Sequence, residues 1–353
     1  MGGLYYDLEQ ESERLRLDIE WSSVVDAPSL VVFDEAQSWP ELFPRLRGVI
    51  DADRKRDGRF LLLGSVSPTL MTHVADSLAG RLSLIELTPF LLPEIQSSVD
   101  DPSGIEPLAL DRLWVCGGYP DGGVLGTPSF PRWQTDYLEL LTQRDLPNWG
   151  LPARPQTTTR LLKMLAAVHG QNWNASQLGQ SLGLDYKTVN SYLDFLVGAF
   201  LIRRLQPYQA NIGKRLVKSP KVYWRDSGLL HALLNISDPK SLRSQPWVGA
   251  SWEGFVVEQI ISYLKTEGRS FDAFFFRTSD QHEIDLVLEQ AGVRTAIEIK
   301  LTSSPSLIDF SRLSKSAEMI GAKRRILISR TPDVVRGDGV LSCDLLTAIR
   351  ELS

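Results

Sequence analysis

The chain has 353 residues, 43% of them hydrophobic and 23% charged, enough apolar sequence for two or three packed domains. Lys and Arg total 38 against 43 Asp and Glu, and the formal charge of −5 excludes a chain that coats nucleic acid along its whole length while leaving room for a local basic face. Cys116 and Cys343 stand far apart with no Cys/His ligand spacing around them, which argues against a disulfide scaffold and a structural zinc site. No apolar run reaches the ~18–20 residues that cross a bilayer. Met1–Asp7 lacks a basic segment followed by an apolar one. The expectation is a soluble, cytoplasmic, multidomain protein without a membrane partner.

Residues 1–98 alternate apolar strands with amphipathic helices. Leu30-Val31-Val32-Phe33 and Phe60-Leu61-Leu62-Leu63 are short continuous apolar runs, as in strands covered on both faces. Between them Leu42, Leu46, Val49 and Ile50 recur at helical spacing, and a further helix is predicted over Pro68 to Ala79, followed by an apolar run from Leu82 to Leu87. Strands alternating with helices predict βαβ units and a parallel sheet. From about Ser97 to Thr127 the composition shifts to Gly, Pro, Asp and Ser around one helix, a second helix is predicted from about Phe130 to Arg144, and residues 99–156 read as a linker and helical connection. Residues 157–236 read as a helical module: Leu161, Leu162, Leu165 and Val168 on one helix, then Ala175–Leu182 and Tyr186–Val197 separated by Gly183-Leu184-Asp185. Helix, short helix, turn, longer helix and a β-rich extension is the order of a winged helix-turn-helix. Residues 237–353 form a final α/β unit.

Leu30–Phe33 runs into Asp34 and Glu35. In a P-loop ATPase a strand ending this way sets an Asp to hold the Mg²⁺ of MgATP, and the Glu polarises the attacking water. Ser65, ending the next strand, occupies the place of a γ-phosphate sensor, and Arg81 is a candidate cation for phosphate contact. The competing reading is that buried strands often end in acidic residues facing solvent. No G-x-x-x-x-G-K-[ST] run occurs in the sequence. Its backbone amides and Lys cradle the phosphates, so Asp34 without it should bind nucleotide weakly. Leu4-Tyr5-Tyr6-Asp7 reads as the second strand of such a domain, which implies either a start truncated before the P-loop or a degenerate ATPase.

Phe33-Asp34-Glu35-Ala36-Gln37, Pro40-Glu41-Leu42-Phe43, Leu63-Gly64-Ser65, Ala79-Gly80-Arg81-Leu82, Gly117-Gly118-Tyr119-Pro120, Tyr137 with Gln143-Arg144-Asp145, and Asp226-Ser227-Gly228-Leu229 together resemble bacterial and archaeal AAA-type ATPases with a C-terminal domain of unknown function. The resemblance extends from Tyr5 over essentially the whole chain. It implies an ATP-binding domain, a winged-helix segment and a nuclease-like C-terminal fold. It also leaves open a ring-type homo-oligomer, in which one subunit's Arg completes the next subunit's site.

Residues 203–225 carry Arg203, Arg204, Lys214, Arg215, Lys218, Lys221 and Arg225 with no Asp or Glu, and Tyr208, Tyr223 and Trp224 lie among them. A basic wing of this kind suits phosphate contacts beside a DNA groove. Lys214, Arg215, Lys218 and Lys221 are the expected nucleic-acid residues. In the helix before it, Asp185 and Asp194 offset Lys187, so packing between domains or binding protein is the alternative for this module.

Glu283-Ile284-Asp285-Leu286-Val287-Leu288 alternates as a half-buried strand, Gln290-Ala291-Gly292 can turn, and Thr295–Lys300 returns. Side chains repeat every second residue along a strand, so Glu298 and Lys300 share a face and a hairpin brings Asp285 beside them. This Asp…Glu-x-Lys arrangement resembles the PD-(D/E)XK nuclease core. By that resemblance Asp285 and Glu298 hold Mg²⁺ and Lys300 positions water against a phosphodiester. Glu253, on the preceding helix, is a further candidate ligand. The competing readings are a surface hairpin of alternating charges and a nuclease-like fold that binds without cutting.

The combined expectation is a partial P-loop ATPase-type parallel sheet, a winged helix-turn-helix and a restriction-endonuclease-like α/β domain. The function expected is that of an AAA-family ATPase-like protein, nucleotide-linked and DNA-associated. The alternatives are a metal-dependent nuclease on a degenerate ATPase domain, or a non-catalytic partner in a defence or toxin–antitoxin system.

Overall fold

A computed structural model describes residues 3–64, 77–96, 107–124, 129–209, 216–280, 282–337 and 339–353. The chain divides into two compact units, Met1–Ile85 and Glu86–Ser353.

In the first unit β1 (Leu4–Asp7), β2 (Val31–Asp34) and β3 (Phe60–Leu62) pair in parallel in that order. The helices Glu11–Asp26 and Leu42–Ala52 make the connections. Tyr6, Phe33, Leu17, Val24, Leu42, Phe43 and Leu46 are buried together, so the periodicity read between the strands is a true core face. Two expectations fail. Leu82–Leu87 forms no strand, and Ile85 and Leu87 are 82% and 97% exposed, since among the described residues no neighbouring strand pairs with this segment. Leu61 on β3 is 40% exposed, so this strand is not covered on both faces. The expected Pro68–Ala79 helix falls almost wholly outside the described residues.

In the second unit eight strands form one sheet, ordered β10-β11-β9-β8-β7-β6-β4-β5. They are β4 (Ile202–Pro207), β5 (Lys221–Trp224), β6 (Asp272–Arg277), β7 (Glu283–Gln290), β8 (Val293–Ile299), β9 (Arg324–Ile328), β10 (Val335–Gly337) and β11 (Val340–Cys343). Strands β6, β7 and β8 are an antiparallel meander, and β9 joins β8 in parallel after the helix Leu307–Met319. Ala291 and Gly292, both at positive φ, make the two-residue turn between β7 and β8, the backbone that matches strand twist in a tight hairpin. The helix Val248–Thr266 buries Trp252, Val256, Val257, Ile260 and Ile261 against Leu286, Leu288 and Ile297. On the other face Leu313, Ala317 and Ile320 pack on Val287, Ala296 and Leu327.

The helices Pro155–Ala167, Ala175–Leu182 and Tyr186–Gly198 form a second cluster with Ile202, Val222 and Trp224. Gly183 closes the middle helix in the left-handed region, and the exposed Asp185 carboxylate caps the next helix through the Lys187 and Thr188 amides. The β-extension of this module does not stand apart: β4 pairs in parallel with β6 and carries β5 at the sheet edge. The segment expected as a linker also belongs to the core. The helix Pro107–Cys116 buries Leu110, Leu113 and Trp114. Composition rich in Gly and Pro marked its flanks, and the ten-residue helix between them is apolar enough to pack.

Candidate functional site

Asp34 ends β2, the central strand of the first unit, at the carboxyl end of the parallel sheet, where open α/β sheets bind ligands. Its carboxylate accepts from the Tyr5 hydroxyl at 2.5 Å and from the Glu35 amide at 3.0 Å. The hydrogen bond to Asp34 pushes the Tyr5 phenol up to about 12. Glu35 has φ of 49°, a left-handed conformation uncommon for a non-glycine residue, and its carboxylate accepts from the Gln37 amide. Gly64 lies against that amide, and a Cβ there would collide with Gln37 Oε1. Ser65 lies outside the described residues. Arg81 forms a two-pronged pair with Asp51, at 2.8 and 2.9 Å, and that pairing holds the Asp51 carboxyl down to about 2. The structure thus places Arg81 on a surface carboxylate rather than open toward a phosphate.

The second unit brings the other predicted residues together. Leu286 pairs with Ile297 across β7 and β8, and one step further along the same register sets Asp285 against Glu298. Between β6 and β7 the register shifts beside this point, and such bulges re-aim side chains next to functional sites. The Asp285 carboxylate accepts the Ile299 amide at 2.8 Å. Lys300 Nζ lies 2.5 Å from Glu298 Oε1. Glu298 is 8% exposed, and its Oε2 has no hydrogen-bond partner among the described residues. Burial and the neighbouring Glu298 drive the Asp285 carboxyl well above its ordinary range. Burial also raises Glu298, against the pull of Lys300.

Sequence reasoning misplaced Lys221 and overlooked Glu283. Lys221 opens β5 with its ammonium buried, 2.8 Å from Glu253 Oε1 and 2.8 Å from Glu283 Oε1. It is therefore not a solvent-facing wing residue. Burial penalises its charge, and Glu253, Tyr223, Asp285 and Glu283 together more than reverse that, so its pKa lies well above the ordinary lysine value. Burial likewise opposes ionisation of Glu283, and Lys221 holds that carboxyl below its usual range. Two residues along β5, Tyr223 donates to the same Glu253 oxygen at 2.5 Å. The spacing Lys221-x-Tyr223 was legible as one strand face, but nothing in the sequence showed that this face turns inward. Lys218 is exposed, whereas Lys214 and Arg215 lie outside the described residues.

Among the described residues no group of three or more His, Cys, Asp or Glu side chains is arranged to hold a metal ion. The pair Asp285 and Glu298 nevertheless suits Mg²⁺, which binds through one or two carboxylates and completes its shell with water and phosphate oxygens. Formal charge agrees. Glu253, Glu283, Asp285 and Glu298 face Lys221, Lys300 and Arg277, so four carboxylates meet three cations, a formal deficit of one. The unpartnered Glu298 Oε2 is the free donor atom of this set.

Elsewhere on the second unit a groove of about 440 Å³ is lined by Lys323, Arg324, Arg325 and Arg336, with Glu351 as the carboxylate among them. Among the described residues no helix is long and apolar enough to cross a membrane.

Residues 3–96 match the AAA domain family, residues 108–240 a domain of unknown function, DUF8612, and residues 248–346 another, DUF4143. The chain is 36% identical to the uncharacterized protein Rv2008c of Mycobacterium tuberculosis and, equally, to the uncharacterized protein Mb2031c of Mycobacterium bovis, over 96% of this chain and 75% of each relative. A solved structure, protein VC1899 from Vibrio cholerae, aligns over 97% of this chain and 77% of that one at 13% identity, with a TM-score of 0.23 that carries no argument about fold. With a matched AAA domain ahead of two domains of unknown function and more than a third of its residues shared along nearly its full length, the chain belongs to the AAA-type ATPase-like family of these mycobacterial proteins.

Proposed function

We propose that this protein acts on nucleic acid through a Mg²⁺-dependent phosphodiester-cleaving site in its second unit. The observation that carries the reading is the convergence of Asp285, Glu298 and Lys300 on adjacent strands of the helix, three-strand meander, helix, strand order that begins at Val248. That order and those three residue types are the ones a PD-(D/E)XK fold uses. Asp285 and Glu298 would hold the ion, which when bound polarises a phosphoryl oxygen and lowers the pKa of water. Lys300, 37% exposed at its side chain, reaches from Glu298 toward solvent, where it can orient a water or neutralise a phosphate. Lys323, Arg324, Arg325 and Arg336 offer a cationic groove for backbone phosphates, and the Pro155–Gly198 helices with β4 and β5 have the order of a winged helix.

A second reading concerns the first unit. Asp34 at the carboxyl end of a parallel sheet, followed by a left-handed Glu35, supports a nucleotide-linked role for that unit. Without a G-x-x-x-x-G-K-[ST] run in the sequence, MgATP binding through Asp34 should be weak.

Incubating the full chain with supercoiled DNA in Mg²⁺, in Mn²⁺ and in EDTA tests the leading reading. Nicking that needs the metal and vanishes in Asp285→Ala supports it. Equal nicking by Asp285→Ala, or none under any condition, overturns it.

A further inference from the structure

The acidic site of the second unit is built across two family regions. Asp285, Glu298, Glu253 and Glu283 lie within 248–346, while Lys221 comes from 108–240. Its ammonium bridges Glu253 and Glu283 at 2.8 Å each, with a side chain only 3% exposed. Tyr223 supports the same Glu253 oxygen, and the Phe275 ring lies 5.5 Å from the ammonium. A buried ammonium with two carboxylate partners is a fixed charge, since removing either side leaves an unpaired ion in a low dielectric.

We infer that Lys221 is a tethered counter-ion of the acidic site, which engages Glu253 and Glu283 and thereby weakens the binding of a divalent cation at Asp285 and Glu298. The inference rests on the reading of that pair as metal carboxylates. Lys221 acts in two ways. It repels a second cation directly, and it withholds two oxygens that would otherwise turn toward the ion. The middle segment therefore tunes the C-terminal site, and the metal competes with a residue that is part of the fold.

Mn²⁺ binding to the full chain, measured by calorimetric titration and by the metal-dependent rise in melting temperature, tests this in wild type, Lys221→Met and Asp285→Asn. Removing one positive charge beside the ion should tighten Mn²⁺ by at least about tenfold. It should also enlarge the metal-dependent rise in melting temperature, and Asp285→Asn should abolish binding. Appearance of binding in Lys221→Met alone has the same meaning. Binding in wild type that is unchanged or weaker in Lys221→Met overturns the counter-ion and leaves the metal site standing. Absence of binding in both overturns the metal site and the inference with it. If Lys221→Met does not fold, Lys221→Met/Glu283→Gln keeps the charge deficit while freeing Glu253. Tighter binding there supports the inference, and equal or weaker binding overturns it.

Discussion

Acidification should loosen the second unit through two buried histidines, and His231 is the one whose contribution can be isolated. His231 is fully buried, with Nδ1 2.9 Å from the Val115 carbonyl oxygen and Nε2 2.7 Å from Ser251 Oγ. A carbonyl oxygen only accepts, so Nδ1 carries the proton and Ser251 donates to Nε2, while Ser251 itself accepts from Trp114 Nε1 at 3.1 Å. Protonating Nε2 would break this chain, and burial lowers the histidine from 6.5 to about 4. A folded pKa below the unfolded one means that the stability is present above pH 6.5 and is lost as pH falls toward 4. At pH 5 the loss from His231 is about 2 kcal/mol, by linkage between those two values. His169, lowered to about 3 by burial, loses a similar amount. Asp226 runs the other way. Burial raises it from 3.8 to about 6, so its contribution improves as pH falls through 6, by about 1.5 kcal/mol at pH 5. These three groups together give a fall of about 2.5 kcal/mol between pH 7.5 and 5, which the raised Asp285 and Glu298 carboxyls make smaller. Urea unfolding followed by tryptophan fluorescence at both values checks it. His231→Asn keeps a donor toward Val115 and should be less stable at pH 7.5, because Ser251 loses its acceptor, yet lose about 2 kcal/mol less than wild type between the two pH values. An identical pH dependence in the variant would refute the assignment.

Glu258 is buried between Arg203 and Arg225, accepting from them at 2.8 and 2.7 Å, and Glu258→Gln should cost about 3 kcal/mol in urea unfolding by leaving Arg203 without its carboxylate and Arg225 with Glu86 alone. Asp285→Asn removes a desolvated carboxyl driven upward by burial and Glu298, so in EDTA at pH 7.5 its melting temperature should exceed that of wild type, and a lower one would contradict the crowding of charge seen there. Gly228→Ala should destabilise by at least about 2 kcal/mol, since its Cβ would strike the Cys116 carbonyl and lie 2.9 Å from the Gly117 nitrogen, both backbone atoms that cannot swing away. Lys323→Glu with Arg336→Glu should weaken duplex DNA binding in fluorescence anisotropy and reduce the steepness of its salt dependence by about two charges, and an unchanged slope would remove the groove from consideration.

The alternation of the first unit was legible because Tyr6, Phe33 and Leu46 sit where strand and helix periods put them. The hairpin was legible too, since Ala291-Gly292 between two alternating runs leaves little choice of turn. Leu82–Leu87 shows the limit: apolar composition makes a strand available, but pairing needs a neighbouring edge, which is not a property of the segment. The helix Pro107–Cys116 was legible as one helix inside a loop-rich connection, but its Gly- and Pro-rich flanks hid that it packs into the core. Among the site residues, Asp285, Glu298 and Lys300 followed from spacing within one hairpin, whereas the Lys221 contacts span 32 and 62 positions of chain to Glu253 and Glu283.

Lys221 shows why a run of positive charge is a poor guide to a nucleic-acid face. Arg203, Arg204, Lys221 and Arg225 all belong to the basic stretch, and all four are committed to carboxylates: Glu258 takes Arg203 and Arg225, Asp194 takes Arg204, and Glu253 and Glu283 take Lys221. The absence of Asp and Glu within the stretch is what made it look like a phosphate surface. The same absence is expected of a strand pair whose acidic partners arrive from elsewhere, here from the helix Val248–Thr266 and from β7. Joining β4 to β6 turns a local charge excess into long-range pairing at these four residues, while Lys218 stays exposed and a separate group of cations on β9 and β10 lines a groove in which Glu351 takes Arg336. If nucleic acid is the partner, the affinity should therefore follow Lys323, Arg324, Arg325 and Arg336 far more than Arg203, Arg204, Lys221 and Arg225.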